Sequence, residues 1–406
     1  MSVLQGIRVI ELANERIAFA GKLMADMGAD VVLVEPPQGD PTRGYPPFDG
    51  QTGNKSLYFW HYHTNKRSMI LDLDKAEDLD HLRKLISQAD VLLETEPIQR
   101  LAQLGLDYQD TSPENPGLIH IAVTPYGRDA PESDLPQTDL TLMAAGGPPW
   151  SCGYDDHSLP PVRGWGNQAF HTGSHFAYMS ALTALLYRGE SGAGQFIDVS
   201  ITAALNVTTE AASYAWHVCE ATVQRQTGRH AAVVPTGETQ MLCADGKHVN
   251  TGVPPRFPRE FQNLLTWMKS LNLDKEFPET VFLEMGAAWE GQFDLSKIGE
   301  DDTITAIFSA GRDGLKLIAQ TVSAYEFFVG CQEAGLAVGI IYSPEEVYED
   351  EHFKARGFQA SLQHPGRSEP VRYPGAPYKL PASPWSLRHP APELGEHTQE
   401  ILSSLE

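Results

Sequence analysis

The sequence predicts an α/β fold on a mostly parallel sheet, and three observations support this. Short apolar runs recur through the first two hundred residues. Stretches with helical apolar spacing, roughly 10–15 residues long, separate them, which is the pattern of βαβ units. Some runs are continuous and β-branched, as in Val31–Val34 (VVLV), which suits strands covered on both faces.

In chain order, Ile7–Leu12 (IRVIEL) is the first expected strand and Ala18–Met27 the first helix, with Leu23, Met24 and Met27 apolar. Val31–Val34 and Met69–Leu73 (MILDL) follow as strands, Glu77–Gln88 as a helix, and Val91–Glu94 and Leu118–Val123 (LIHIAV) as further strands. His175–Tyr187 is strongly apolar at helical spacing and ends near Gly189. A turn at Gly192–Gly194 leads into a strand at Phe196–Ser200, and Ile201–Cys219 reads as a second long apolar helix. Both helices are expected to be buried.

From about Arg225, glycine and proline interrupt the chain often. Met241–Val249 reads as a hairpin turning at Asp245-Gly246. Helices are expected around Phe261–Ser270, Glu279–Trp289 and Leu315–Ala334. The composition thus predicts a large Rossmann-like domain over residues 1–224, a smaller α+β domain over 225–335, and a proline-rich segment, 336–406, returning to the first domain.

The totals exclude several functions. With 30 Lys and Arg against 53 Asp and Glu, the net charge is −23, which repels nucleic acid and anionic lipid. It also repels coenzyme A, so any CoA site must be locally basic or use backbone N–H groups. No run of about 18 apolar residues occurs, so no membrane span is expected. The start, MSVLQGIRVIELANE, is acidic where a signal peptide is basic, and a cytoplasmic protein is expected. The first strand is followed by ELANERIAFAG, not GxGxxG, and no Walker A loop is present; neither a nicotinamide nor a flavin is expected. Cys152, Cys219, Cys243 and Cys331 lack the spacing of a zinc site or disulfide framework. They are expected as buried thiols, with no metal.

Six segments carry a family resemblance. They are MGADVVLVEPPQGDPTRG (27–44), SLYFWHYHTNKRSMILDL (56–73), SGAGQFIDVSITAA (191–204), CADGKHV (243–249), SPEEVYEDEHFKARGF (343–358) and LGEHTQEIL (394–402). In that order they resemble the conserved blocks of the class III CoA-transferases, the CaiB/BaiF family. The resemblance implies a Rossmann-like large domain made from both ends of the chain, a small middle domain, and an interlocked dimer. It implies transfer of CoA between carboxylic acids. An aspartate carboxylate attacks the acyl-CoA thioester, so one hard exchange is divided into easier steps.

That aspartate is missing. In the family it lies ten residues after the first proline of a Pro-Pro pair and twenty-five before the glutamine of GxGQ. Counting from Pro160 and from Gln195 arrives both times at Phe170; matching a downstream glycine to Gly173 gives Ala169. The neighbourhood, GWGNQAFHTGSHF, contains no acidic side chain. Asp155 and Asp156, upstream, read as solvated turn residues. His171 is the weak candidate for a base, against the reading of a packed residue at a helix start. Asn167 and Gln168 suit donors to a thioester oxygen or, equally, cap residues. The family's racemases add a histidine before an aspartate equivalent to Asp139; Thr138 stands there, so racemase chemistry lacks both partners.

The CoA-contacting positions diverge too. Thr95-Glu96-Pro97 replaces a donor-rich loop, and Gln103 stands at a family arginine for which Arg100 is a partial substitute. Leu71 and Asp72, followed by Leu73 and Asp74, match a family Leu-Asp near adenine and ribose. Arg16 follows the first strand where CoA approaches, and Asp139 completes the candidate set. The alternatives are Asp72 as a helix cap and Arg16 as a surface charge. Lys66-Arg67 reads as a structural ion pair sooner than a phosphate site, and Trp165 and Phe170 as core sooner than contacts to an aromatic acyl group.

The expectation is therefore a CoA-transferase family protein acting on acyl-CoA and carboxylic acid pairs, as the subunit lacking the aspartate. Its partner would be an Asp-bearing homologue, as in benzylsuccinate CoA-transferase, or a second copy of itself. The alternative is an active transferase, lyase or hydrolase with a replaced nucleophile.

Overall fold

A computed structural model of the chain describes residues 2–131, 135–252, 254–291 and 293–405. The chain forms two compact units. The first comprises Met1–Trp150, Val162–Val218 and Asp350–Glu406; the second comprises Ser151–Pro161 and Cys219–Glu349.

In the first unit the order is β1 (Arg8–Leu12), α1 (Ala18–Asp26), β2 (Asp30–Glu35), β3 (Phe48–Asp49), β4 (Lys55–Ser56), α2 (Leu57–Tyr62), β5 (Arg67–Ile70), α3 (Ala76–Ser87), β6 (Val91–Glu94), α4 (Ile98–Leu104), α5 (Tyr108–Thr111), β7 (Ile119–Thr124), α6 (Asp139–Gly146), α7 (Gln168–Ser191), β8 (Gln195–Ser200), α8 (Ile201–Val207) and α9 (Ala211–Cys219). Six strands make one parallel sheet in the order β5-β2-β1-β6-β7-β8. Successive residues of a strand face opposite sides. Val9, Val91 and Ile121 join one core with Met24, Phe170 and Ala177, while Ile10, Val32 and Leu92 join another with Leu82, Leu85 and Ile401. The chain turns from β1 outward to β2 on one side and to β6 on the other, so the crevice beyond β1 and β6 is the topological switch point.

The block Asn65-Lys66-Arg67-Ser68 clasps the C-terminal segment. Asn65 Oδ1 accepts the N–H groups of Arg388 (2.7 Å) and His389 (2.9 Å), and Ser68 Oγ accepts that of Gly395 (2.8 Å). Arg67 pairs with Asp30 and Glu400. Lys66 Nζ meets Glu11 Oε1 at 2.7 Å, with both side chains fully buried. The ion-pair expectation for Lys66 and Arg67 thus fits what these groups touch.

In the second unit, strands Gln240–Leu242 and His248–Thr251 pair as the expected hairpin, with Gly246 at φ +81°, and Val338–Ile340 adds a third strand. Helices Pro258–Ser270, Thr280–Ala287, Asp302–Ala319 and Ala324–Ala334 bury Phe261, Leu264, Met268, Ile307 and Phe327.

The structure corrects several element readings. Leu315–Ala334 is not one helix: the chain breaks before Ser323, whose side chain caps the next helix at Glu326. Ile201–Cys219 divides into α8 and α9, with Glu210 at φ 40° between them. Apolar composition did not mean burial: α9 has no buried residue, and Met179, Leu186 and Tyr187 of α7 are exposed. Cys152 and Cys219 are exposed, whereas Cys243 and Cys331 are buried as expected. No helix among the described residues is long and apolar enough to cross a membrane.

Candidate functional site

The position where the resemblance places an aspartate lies at the N-terminus of α7. Ala169 is fully buried and Phe170 is 3% exposed, both within the core under the sheet. A helix start leaves N–H groups without partners, and Asn167, the residue before α7, does not cap them with its side chain. Asp139, at the first turn of α6, does so from a distance. Its Oδ1 accepts the Ala169 N–H at 2.8 Å and the Phe170 N–H at 3.3 Å, and its Oδ2 meets Arg163 Nη1 at 3.2 Å. Arg163 also donates to the carbonyls of Gly164 (3.0 Å) and Gly166 (2.8 Å), folding the GWG loop around its guanidinium. Trp165 is consequently pushed out and 97% exposed, contrary to its expected place in a core. Three protein donors thus hold the Asp139 carboxylate.

Beside this start sits an aromatic cluster. His171 stacks on Phe19 with ring centroids 4.1 Å apart, and its Nε2 shares a 2.7 Å hydrogen bond with the Tyr62 hydroxyl. Burial pushes the His171 pKa down to about 4, so the ring is neutral at pH 7. Burial pushes the Tyr62 phenol up to about 12 and Tyr58 higher still. Asn167 donates to the Tyr58 hydroxyl, and the rings of Tyr45, Tyr58 and Tyr62 touch in series. Glu15 lies in the turn after β1, and burial raises its carboxyl above the ordinary range. Its charge acts on Tyr58, Tyr62 and Asp139.

A cleft opens at the switch point, lined by Arg16, Thr95, Glu96, Thr124, Arg128 and Pro136 among others. Arg16 donates to the Gln137 carbonyl at 3.3 Å, which makes it more than a loose surface charge. Thr95 Oγ1 is buried and has no hydrogen-bond partner among the described residues. Burial raises the Glu96 carboxyl, and Arg100 Nε lies 3.4 Å from it, so Arg100 answers a local carboxylate. Arg128 is bound to Glu94, which is fully buried and also meets His120 at 3.2 Å.

The other expected contacts lie apart. Leu71, Asp72, Leu73 and Asp74 follow β5, two strands away from β1, and do not line the cleft. Leu71 is buried in the core. Asp72 is not a helix cap: Lys75 precedes α3, and Asp72 instead accepts the Asp74 N–H and pairs with Lys75. Asp155 pairs with Arg229 and Asp156 holds the Ser158 hydroxyl, both in the second unit, as turn residues do. Sequence reading missed Glu15, Arg163, Arg128 and the three tyrosines. For Tyr58 and Tyr62 there was a signal in the dense aromatic run YFWHYH at 58–63. No group of metal-binding side chains occurs among the described residues.

Known proteins resemble this chain along nearly its whole length. The chain is 29% identical over 404 residues to the Succinyl-CoA:(R)-benzylsuccinate CoA-transferase subunit BbsE of Thauera aromatica, covering 97% of this chain and 92% of that protein. It is 28% identical to the Succinate--glutarate CoA-transferase of Agrobacterium fabrum, covering 99% of this chain and 96% of that protein. A crystal structure of a CAIB/BAIF family protein from Brucella suis superposes with a TM-score of 0.80 at 22% identity, over 100% of both chains. The profile of CoA-transferase family III matches residues 4–398, nearly the whole length, and the chain belongs to that family.

Proposed function

We propose that this chain acts on acyl-CoA and carboxylic acid pairs as the subunit of a two-chain class III CoA-transferase that lacks the family's aspartate. CoA is then a substrate thioester, and succinyl-CoA is the donor that a relative's name supports. The carrying observation is the burial of Ala169 and Phe170 where the resemblance puts a carboxylate: a methyl and a phenyl group cannot capture an acyl group. The name of the Thauera relative, itself a subunit, supports an assembly of unlike chains. So does α9, whose Tyr214, Trp216 and Val218 are exposed, because apolar faces of this size are commonly covered by a partner.

The cleft at the switch point is the place for the ligand in this reading. Arg16 supplies charge, Thr95 supplies an unpaired hydroxyl, and Glu96 opposes polyanions, which predicts weaker CoA binding than a donor-rich loop would give. Native mass spectrometry of the protein drawn from its own host tests the reading. The expected result is a complex of this chain with an Asp-bearing family member. Recovery of the chain solely with copies of itself overturns it.

A further inference from the structure

We propose that Glu94 sets the anion specificity of the cleft at the switch point: by holding Arg128 it leaves a cleft that accepts one anionic group of a ligand and rejects a second. The proposal rests on the reading that puts the ligand in this cleft, and it names what that site selects.

Arg16 and Arg128 both line the cleft, but they are not equivalent. Arg16 donates to the Gln137 carbonyl at 3.3 Å and pairs with no carboxylate among the described residues. Arg128 is committed. Its side chain is 6% exposed, and its Nη2 donates to Glu94 Oε1. Its backbone N–H donates to Asp198 Oδ2 at 2.8 Å, so β6 holds the side chain and β8 the main chain. Glu94 ends β6, is fully buried and is not among the residues that line the cleft. It also ties together the surroundings of Arg128. Its Oε1 meets His120 Nε2 of β7 at 3.2 Å, and its Oε2 accepts the Glu96 N–H at 2.7 Å.

An anion entering the cleft must therefore compete for Arg128 with a carboxylate already at hydrogen-bond distance. Drawing Arg128 away strands a buried charge, which is the costly outcome for such a pair. Glu96, on the cleft wall, adds repulsion. Arg16 remains for one negative group. The Thr95 hydroxyl, buried and without a partner among the described residues, remains for an uncharged polar atom. Glu94 touches no ligand in this account; it is a positioning residue that acts through Arg128.

The test uses the full-length chain, with inorganic phosphate and inorganic pyrophosphate as probes in isothermal titration calorimetry. The wild type is expected to bind the two within about twofold of each other. A wild type that prefers pyrophosphate by about tenfold or more overturns the proposal, and that measurement needs no variant to fold. Glu94→Gln keeps the side-chain length but removes the charge, and is expected to tighten pyrophosphate binding by at least about tenfold. Adding Arg128→Gln to Glu94→Gln is expected to abolish the gain. A gain that survives in the double variant, or no gain in Glu94→Gln, also overturns the proposal. CoA separates this result from the reading beneath it. If pyrophosphate binding tightens in Glu94→Gln but CoA does not displace it, the role of Glu94 stands and the placement of CoA in this cleft falls.

Discussion

Asp139 and His171 define the corner residue by residue. Asp139 serves two helices at once: it stands in the first turn of α6, where a negative charge is favoured, and closes the open N–H groups of α7. His171 shows how burial selects a protonation state. Its pKa falls from 6.5 to about 4, so the folded state resists a proton that the unfolded chain accepts. The contribution is therefore fully present above pH 6.5 and is lost as pH falls from 6.5 through 4. We expect urea unfolding of His171→Gln to show a shallower decline of stability over that window than the wild type. Identical slopes would mean that His171 protonates freely in the fold.

At the level of elements, the buried pair Glu11–Lys66 joins the end of β1 to the entry of β5. Lys66 also donates to the Ala18 carbonyl of α1 at 2.9 Å. Burial pushes the Glu11 carboxyl up to about 7 and lowers Lys66, yet the two charges face each other at hydrogen-bond distance. The helix must come close for this. A Cβ at Gly21 would stand 1.6 Å from Glu11 Oε2, so only glycine fits there. Removing one member of a buried pair strands the other, at a cost of about 3–5 kcal/mol. Lys66→Met should lose about that much in a urea titration, and Glu11→Gln combined with Lys66→Met should recover most of it. A single variant within about 1 kcal/mol of wild type would show that water reaches Glu11.

For the whole molecule, the surface combines a net charge of −23 with apolar helix faces that the chain itself leaves open. High like charge normally keeps proteins apart, so the exposed rings of α9 are the face on which the proposed assembly can be tested. Trp216→Glu is expected to shift the sedimentation coefficient toward that of a single chain at equal protein concentration. An unchanged coefficient would remove α9 from the assembly.

Much of the first unit was legible because its signals are local. Val91–Glu94 is a strand as read, and the β1, β2, β7 and β8 runs differ from their expected ends by at most one residue. The run at Met69–Leu73 was read late: the strand is Arg67–Ile70, since the polar Arg67 and Ser68 pair in register with Val32 and Leu33. At the site, Arg16, Thr95 and Glu96 line one cleft, while Leu71–Asp74 do not join them.

Period, composition and block order by themselves determined the α/β class and the family, since each is a property of residues counted along the chain. Which carboxylate faces which ring, and which apolar helix is covered, only the tertiary structure decided. Those depend on strand order and loop paths that bring distant residues within a few ångströms, and no local preference encodes them.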